Sequence, residues 1–199
     1  MSTIQPAPAN TGQPAPANTG QPAPANAGVR LHLLAVLFAL LGGLLGILGA
    51  LAAEGRTTVP LLIVFVGAPI IEEIVKPMGV YLFMIRWPHV LRNRLHIATL
   101  VMISGVCFGL IESLVYVTLY VPDHSQEFFI YRFTVTIALH AVASFIVGLG
   151  VSSKLIDWAN GEAEFPRSAK IAFLGAIGLH AAYNITVTIL DLTGVLNFG

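Results

Sequence analysis

Five long apolar stretches dominate the chain, near residues 30–53, 58–85, 96–121, 129–152 and 169–192. Within each, apolar residues run on continuously instead of alternating with polar ones, which predicts helices and argues against barrel strands. Each stretch reaches the ~20 residues that a spanning helix needs. The predicted fold is therefore all-α: a polytopic transmembrane bundle of about five spans. The informative positions are those that break the pattern. Glu72, Glu73 and Lys76 interrupt the second stretch, Glu112 the third, His140 the fourth and His180 the fifth. Charge at the centre of a bilayer costs roughly 2.5–3.5 kcal/mol per residue even on the lenient insertion scale. A chain that accepts this repeatedly, at matching depth, is expected to build a polar site inside the membrane.

Composition agrees. Hydrophobic residues make up 56% and charged residues 10%, against about 25% charged in a soluble domain, and mean hydropathy is +0.81. Net charge is zero, and with no basic run nucleic acid is not an expected partner. The single cysteine, Cys107, cannot form an intrachain disulfide and reads as a small buried hydrophobe. Residues 5–28 are three tandem octapeptides built on Gln-Pro-Ala-Pro-Ala-Asn. Lacking charge, aromatics and large apolar residues, they predict a disordered, partly polyproline-like tail over residues 1–29, a spacer ahead of a membrane domain over 30–199. No basic region precedes an apolar run, so the tail does not read as a signal peptide.

Lys and Arg between the spans set the expected orientation. With the N-terminus inside, the cytoplasmic segments carry Arg30, Arg86, Arg92, Arg94, Lys154, Arg167 and Lys170, and the outer ones only Arg56 and Arg132. This predicts a cytoplasmic N-terminus, with Trp87 and Trp158 as indole anchors at the cytoplasmic boundary.

The polar positions share faces. Glu72/Lys76, Phe108/Glu112, His140/Ser144 and His180/Asn184 are i, i+4 pairs, so each pair lies on one side of its helix. Facing one another, the stripes would form a chamber sealed by Leu, Val, Ile and Phe. Three carboxylates and one ammonium cannot all remain charged there; a proton, a protonated His or a bound cation must offset the excess. Such a set suits acid–base work on a water, with one Glu taking a proton and a His steadying an oxyanion or passing a proton to the leaving amine. Pro69 and Pro77 bracket the acidic pair; each removes a donor and frees a carbonyl, which predicts a kinked second span lining a cavity. Residues 137–144 resemble 177–184, and 69–75 resemble 109–115, both at an offset of forty. An inverted repeat and chance in an apolar alphabet both account for that.

Blander roles are set beside these. Lys76 is expected to pair with Glu72 and Glu73. Ser144 suits helix packing better than nucleophilic attack, since no Gly-x-Ser-Gly supports serine chemistry. His32, His89, His96 and His124 lie near span ends. Asp191 lacks the Gly-x-Gly-Asp of an aspartyl protease, and His-Glu-x-x-His is absent.

The ordered set Glu-Glu-Ile-Val-Lys (72–76), Phe-Gly-Leu-Ile-Glu (108–112), His-Ala-Val-Ala-Ser (140–144) and His-Ala-Ala-Tyr-Asn (180–184) resembles the PrsW family of intramembrane proteases, within the wider superfamily of CAAX prenyl endoproteases and bacteriocin-processing enzymes. The likeness spans about 30 to 192. Lys76 and Glu112 stand where the CAAX branch usually has an Arg one residue later and a His, which favours the PrsW branch. The resemblance implies peptide-bond hydrolysis in or near the membrane, acting on membrane-protein substrates in a bacterial or archaeal plasma membrane. By position it implies Glu72 as the base with Glu73 as partner, and His140 and His180 as oxyanion and proton groups. Asn184 would orient water or substrate, with Lys76, Glu112 and Ser144 in support. The family has been described both as glutamic-type and as metalloproteases. The preferred reading needs no cofactor; the alternative is zinc or another divalent metal on His140, His180 and Glu72. Two other classes compete. A non-catalytic scaffold of the same superfamily would tend to lose the paired glutamates, which this chain keeps. A proton-coupled transporter of five spans would need to form a homo-oligomer.

Overall fold

A computed structural model describes residues 26–54, 62–91 and 93–196. The octapeptide tail up to residue 25, along with Arg56 and Arg92, lies outside the described residues. Among the described residues every regular element is helical. They are α1 (Asn26–Glu54), α2 (Ala68–Val75), α3 (Met78–Arg86), α4 (Arg94–Val115), α5 (Gln126–Tyr131), α6 (Ile137–Gly150), α7 (Lys154–Ala159) and α8 (Arg167–Leu192). Wide π-helical turns over Ile63–Gly67, Tyr116–Tyr120 and Arg132–Thr136 precede α2, extend α4 and join α5 to α6. Among the described residues four continuous helical stretches are long and apolar enough to cross a bilayer: Gly28–Ala52, Arg94–Tyr120, Gln126–Gly150 and Arg167–Leu192. The second apolar stretch of the sequence is helical in pieces, broken by a turn at Lys76 and Pro77. Helix α1 starts at Asn26, so the last residues of the third octapeptide belong to it.

The long helices pack in the order α1, α4, α6, α8, and α2 closes the ring between α1 and α8. Small residues make the approaches close, as expected where lipid supplies no hydrophobic drive between helices. A Cβ on Gly79 would collide with the carbonyl of Phe38 on α1, and one on Gly105 with the His140 carbonyl and the Ser144 side chain. The principal core, with Ala35, Val80, Phe83, Leu100, Val101 and Val147 at its centre, fills the end of the bundle where α3 stops and α4 starts. Asn93 sets that start, its side chain accepting from the backbone N–H of Leu95 at 2.8 Å and of His96 at 3.3 Å. Tyr81 donates to the carbonyl of Leu155 at 2.8 Å, and Arg94 to that of Leu149 at 3.0 Å, fastening α7 and the end of α6 there. Large apolar side chains, among them Leu33, Leu37, Leu44, Leu48, Ile171 and Leu174, point outward, as a lipid-facing surface requires.

Candidate active site

The broken second segment places the acidic pair. In the wide turn before α2, the Val64 carbonyl would be served by residue 69, but Pro69 has no N–H. Asn184 of α8 takes over, its amide donating to that carbonyl at 2.7 Å. The second break is met likewise: the Lys76 carbonyl accepts from Ser104 Oγ at 2.6 Å. Both prolines thus act as expected from their spacing, and neighbouring helices satisfy what they leave open.

Glu72, Glu73, Lys76, His140 and His180 come together as one buried cluster, and Glu112 adjoins it. Lys76 Nζ lies 2.7 Å from Glu73 Oε1, 3.2 Å from Glu72 Oε2, 2.8 Å from His140 Nδ1 and 4.3 Å from the centre of the Phe108 ring. An ammonium only donates, so His140 Nδ1 accepts. The other nitrogen, Nε2, then carries the hydrogen and donates to Glu112 Oε2 at 2.8 Å. His180 Nδ1 meets Glu73 Oε1 at 2.9 Å, which turns its Nε2 toward Glu72 Oε2 across 3.8 Å, beyond hydrogen-bond reach. The two imidazoles stand edge to face with centroids 5.1 Å apart.

The two adjacent glutamates therefore differ. Glu73 spends Oε1 on both Lys76 and His180 and sits fully enclosed. Glu72 is 4% exposed and lines a cavity of about 470 Å³. Its Oε2 has no hydrogen-bond partner, although Lys76, His180 and His140 stand 3.2, 3.8 and 3.9 Å away. The cavity runs from Glu72, His140 and His180 past Arg132, Tyr183 and Asn184 to Val121 and Asp191. Its far reach is the end of the bundle opposite the main core.

One site neighbour departs from the sequence reading. Arg132, counted there among outer loop charges, lies within the continuous helical stretch Gln126–Gly150 and is 8% exposed. Its Nη2 is 3.0 Å from Glu112 Oε2, and its guanidinium covers the Tyr116 ring at 3.9 Å. The predicted fourth span, 129–152, already takes in Arg132, but its place three residues from the start of that span had it counted with the outer charges. The signal was present: Arg132, Thr136, His140 and Ser144 follow one another at four-residue intervals, one stripe on one face. With Arg132 included, three carboxylates face two fixed cations, so the excess is one negative charge, smaller than the sequence count. Thr136 and Tyr131 both hydrogen-bond the Tyr183 hydroxyl beside the cavity, and none of the three was singled out from sequence. Ser144 sits a turn beyond His140 against Gly105, enclosed and with its hydroxyl unbonded.

A family model described as PrsW family intramembrane metalloprotease matches residues 27–198. The chain belongs to that family. Family and apolar helices together make it an integral membrane protein of an intramembrane protease family, with membrane proteins as substrates. No curated protein and no solved structure matches it.

The family description implies a metal, and the donors fit one. Glu72, Glu73, His140 and His180 offer ligand atoms all within 4.8 Å of one another. Each imidazole has one nitrogen held by a carboxylate, Glu112 for His140 and Glu73 for His180. That is the outer-shell pattern that orients histidine ligands. The remaining His140 Nδ1 and His180 Nε2 both face Glu72 Oε2, at 3.9 and 3.8 Å, near the spacing between ligands of a tetrahedral ion with bonds of about 2.0–2.2 Å. Lys76 now uses the His140 Nδ1 lone pair, and a metal there would have to displace it.

Proposed function

We propose that this chain is an intramembrane endopeptidase in which Glu72 activates the attacking water. One observation carries the choice: both glutamates keep an unbonded Oε2, but only that of Glu72 borders the cavity, while Glu73 is enclosed behind it and held through Oε1 by Lys76 and His180. A water touching both Glu72 Oε2 and His180 Nε2 fits the 3.8 Å between them. Glu72 accepts one proton as the oxygen attacks the peptide carbonyl and hands it on to the departing amine; His180, whose Nδ1–H goes to Glu73, accepts the water's other hydrogen at Nε2 and so aims the attacking lone pair. Glu73 fixes the ring of His180, Glu112 fixes that of His140, and Lys76 bridges the two carboxylates and offsets their repulsion. Asn184 keeps the broken turn open beside the cavity.

A metal-dependent version of the same hydrolysis is the second reading, favoured by the three donor atoms that converge beside the cavity. His140, His180 and Glu72 would hold the ion, which would polarise the peptide carbonyl. The superfamily of CAAX proteases stays the expected wider kinship. We also propose a cytoplasmic N-terminus and five crossings. Arg30, Arg86, Arg94, Lys154, Arg167 and Lys170 flank one end of the bundle, and moving Arg132 into the interior strengthens that asymmetry. On this orientation the cavity opens away from the cytoplasm.

The test is cleavage of a transmembrane reporter by the purified chain in detergent, with Glu72→Gln, Glu73→Gln and His140→Ala alongside. Loss of cleavage in folded Glu72→Gln supports the assignment; cleavage equal to wild type in all three removes it and returns the scaffold and transporter readings. Full activity in protein stripped of metal and shown to hold none would exclude the second version.

A further inference from the structure

We propose that Arg132 is a substrate-anchoring residue: its guanidinium donates hydrogen bonds to main-chain carbonyls of the peptide in the cavity beside Glu72. This rests on the endopeptidase reading and names how that site holds its substrate. Arg132 is more than nine-tenths buried yet forms part of the cavity wall. Its Nε and Nη2 find no hydrogen-bond acceptor; the 3.0 Å approach of Nη2 to Glu112 is an ion pair, off the line of a hydrogen bond. Buried donors without acceptors are rare and expensive. Here the structure leaves them unmet beside about 470 Å³ of space, within the size range of ligand pockets, roughly 300–1,000 Å³.

The nature of the acceptor follows from charge. Glu112 already balances the guanidinium, and Glu72 and Asp191 line the same cavity. A further carboxylate would be repelled, whereas a neutral carbonyl oxygen uses the vacant donors at no charge penalty. Polar and apolar walls side by side, Thr136 and Tyr183 against Val187 and Leu192, suit an extended peptide better than an acyl chain. Carbonyls inside an intact helix are already bonded within it; those of its last turn, or of a stretch broken by Pro or Gly, are not. The substrate class is therefore a membrane segment entering at a helix end or a break, with two or more carbonyls exposed.

The experiment is a binding scan with the full-length chain in detergent, in the Glu72→Gln background so that bound peptide persists. The probe is the tightest binder from a pool of fluorescein-labelled apolar decapeptides, resynthesised with single amide-to-ester replacements that weaken one carbonyl acceptor each. Arg132→Lys keeps the charge beside Glu112 but loses the forked donors. With Arg132 present, one or two adjacent esters should weaken binding about five- to tenfold, and in Arg132→Lys the same esters should cost less than about twofold. A purely structural role would weaken every peptide alike and leave the ester pattern unchanged, which overturns the proposal. So does a pool from which neither protein retains a binder. A free-acid or Glu-bearing peptide gaining about tenfold over its amide or Gln form only when Arg132 is present would show that charge is read instead, and also overturns it. Cleavage by the wild type is measured apart. An intact ester pattern without cleavage sinks the protease reading alone, and cleavage without the pattern sinks only the role of Arg132.

Discussion

The two ends of the bundle are built on opposite plans. At the basic end, α1, α3, α4 and α6 meet through Gly, Ala and large apolar side chains around a dry core. At the other end lie all the wide turns described, Ile63–Gly67, Tyr116–Tyr120 and Arg132–Thr136, along with the cavity. The buried charge sits between the two. The contrast teaches a division of labour. Wide turns weaken regular hydrogen bonding and splay the chain, which makes room for water and peptide within a membrane. Close packing at the far end fixes the helices whose midpoints carry Glu72, His140 and His180, so that the open end does not scatter them.

Four changes would break or sharpen this comparison. The largest effect belongs to Glu72→Gln: cleavage should fall about 10²–10⁴-fold, the range for losing a general base, with the thermal midpoint held or raised because a buried charge is gone. A midpoint that drops sharply would make Glu72 a structural member like its neighbour. Glu73→Gln comes next and should act on the fold itself, since it removes the negative charge that Lys76 and His180 share and leaves them only a neutral amide oxygen; breaking a buried ion pair costs about 3–5 kcal/mol. Detergent-phase unfolding should show the loss, and an unfolding curve like that of wild type would mean Lys76 is satisfied elsewhere. Gly79→Ala probes the dry end. Its new methyl meets the Phe38 carbonyl, so about 1–3 kcal/mol of stability should go, while turnover per folded molecule stays at the wild-type value; lower turnover would tie the dry end to the chemistry. Asn184→Ala should be mildest. It orphans the Val64 carbonyl at the mouth of the broken turn, worth about 0.6–2 kcal/mol for a hydrogen bond between membrane helices. Cleavage should suffer more than stability, and the reverse would make Asn184 a packing residue only.

How far the site was readable in advance differs residue by residue. Glu72, Glu73, Lys76, Glu112, His140 and His180 announced themselves because an ionisable side chain in an apolar run is costly enough to demand a partner, and the fold does gather them. The breaks around Pro69 and Pro77 were legible because proline lacks a donor wherever it sits. Arg132 was missed because a charge near a span end looks like a loop charge until the helix is seen to continue through it. Tyr131 and Tyr183 were missed because an aromatic hydroxyl in a membrane segment carries no pattern of its own.

Local rules were enough to say that the described chain is helical, that its longest helices suit a bilayer, and that four of its segments carry polar groups at similar depth. Hydropathy, period and the chemistry of proline act over a few residues, so a linear reading captures them. Which glutamate is spent on Lys76 and which faces open space, which nitrogen of each imidazole is held, and that Arg132 completes the charge balance were decided only by tertiary packing. Those outcomes depend on contacts between residues far apart in the chain, such as His180 with Glu73, 107 positions away, and no local preference of either residue encodes its partner.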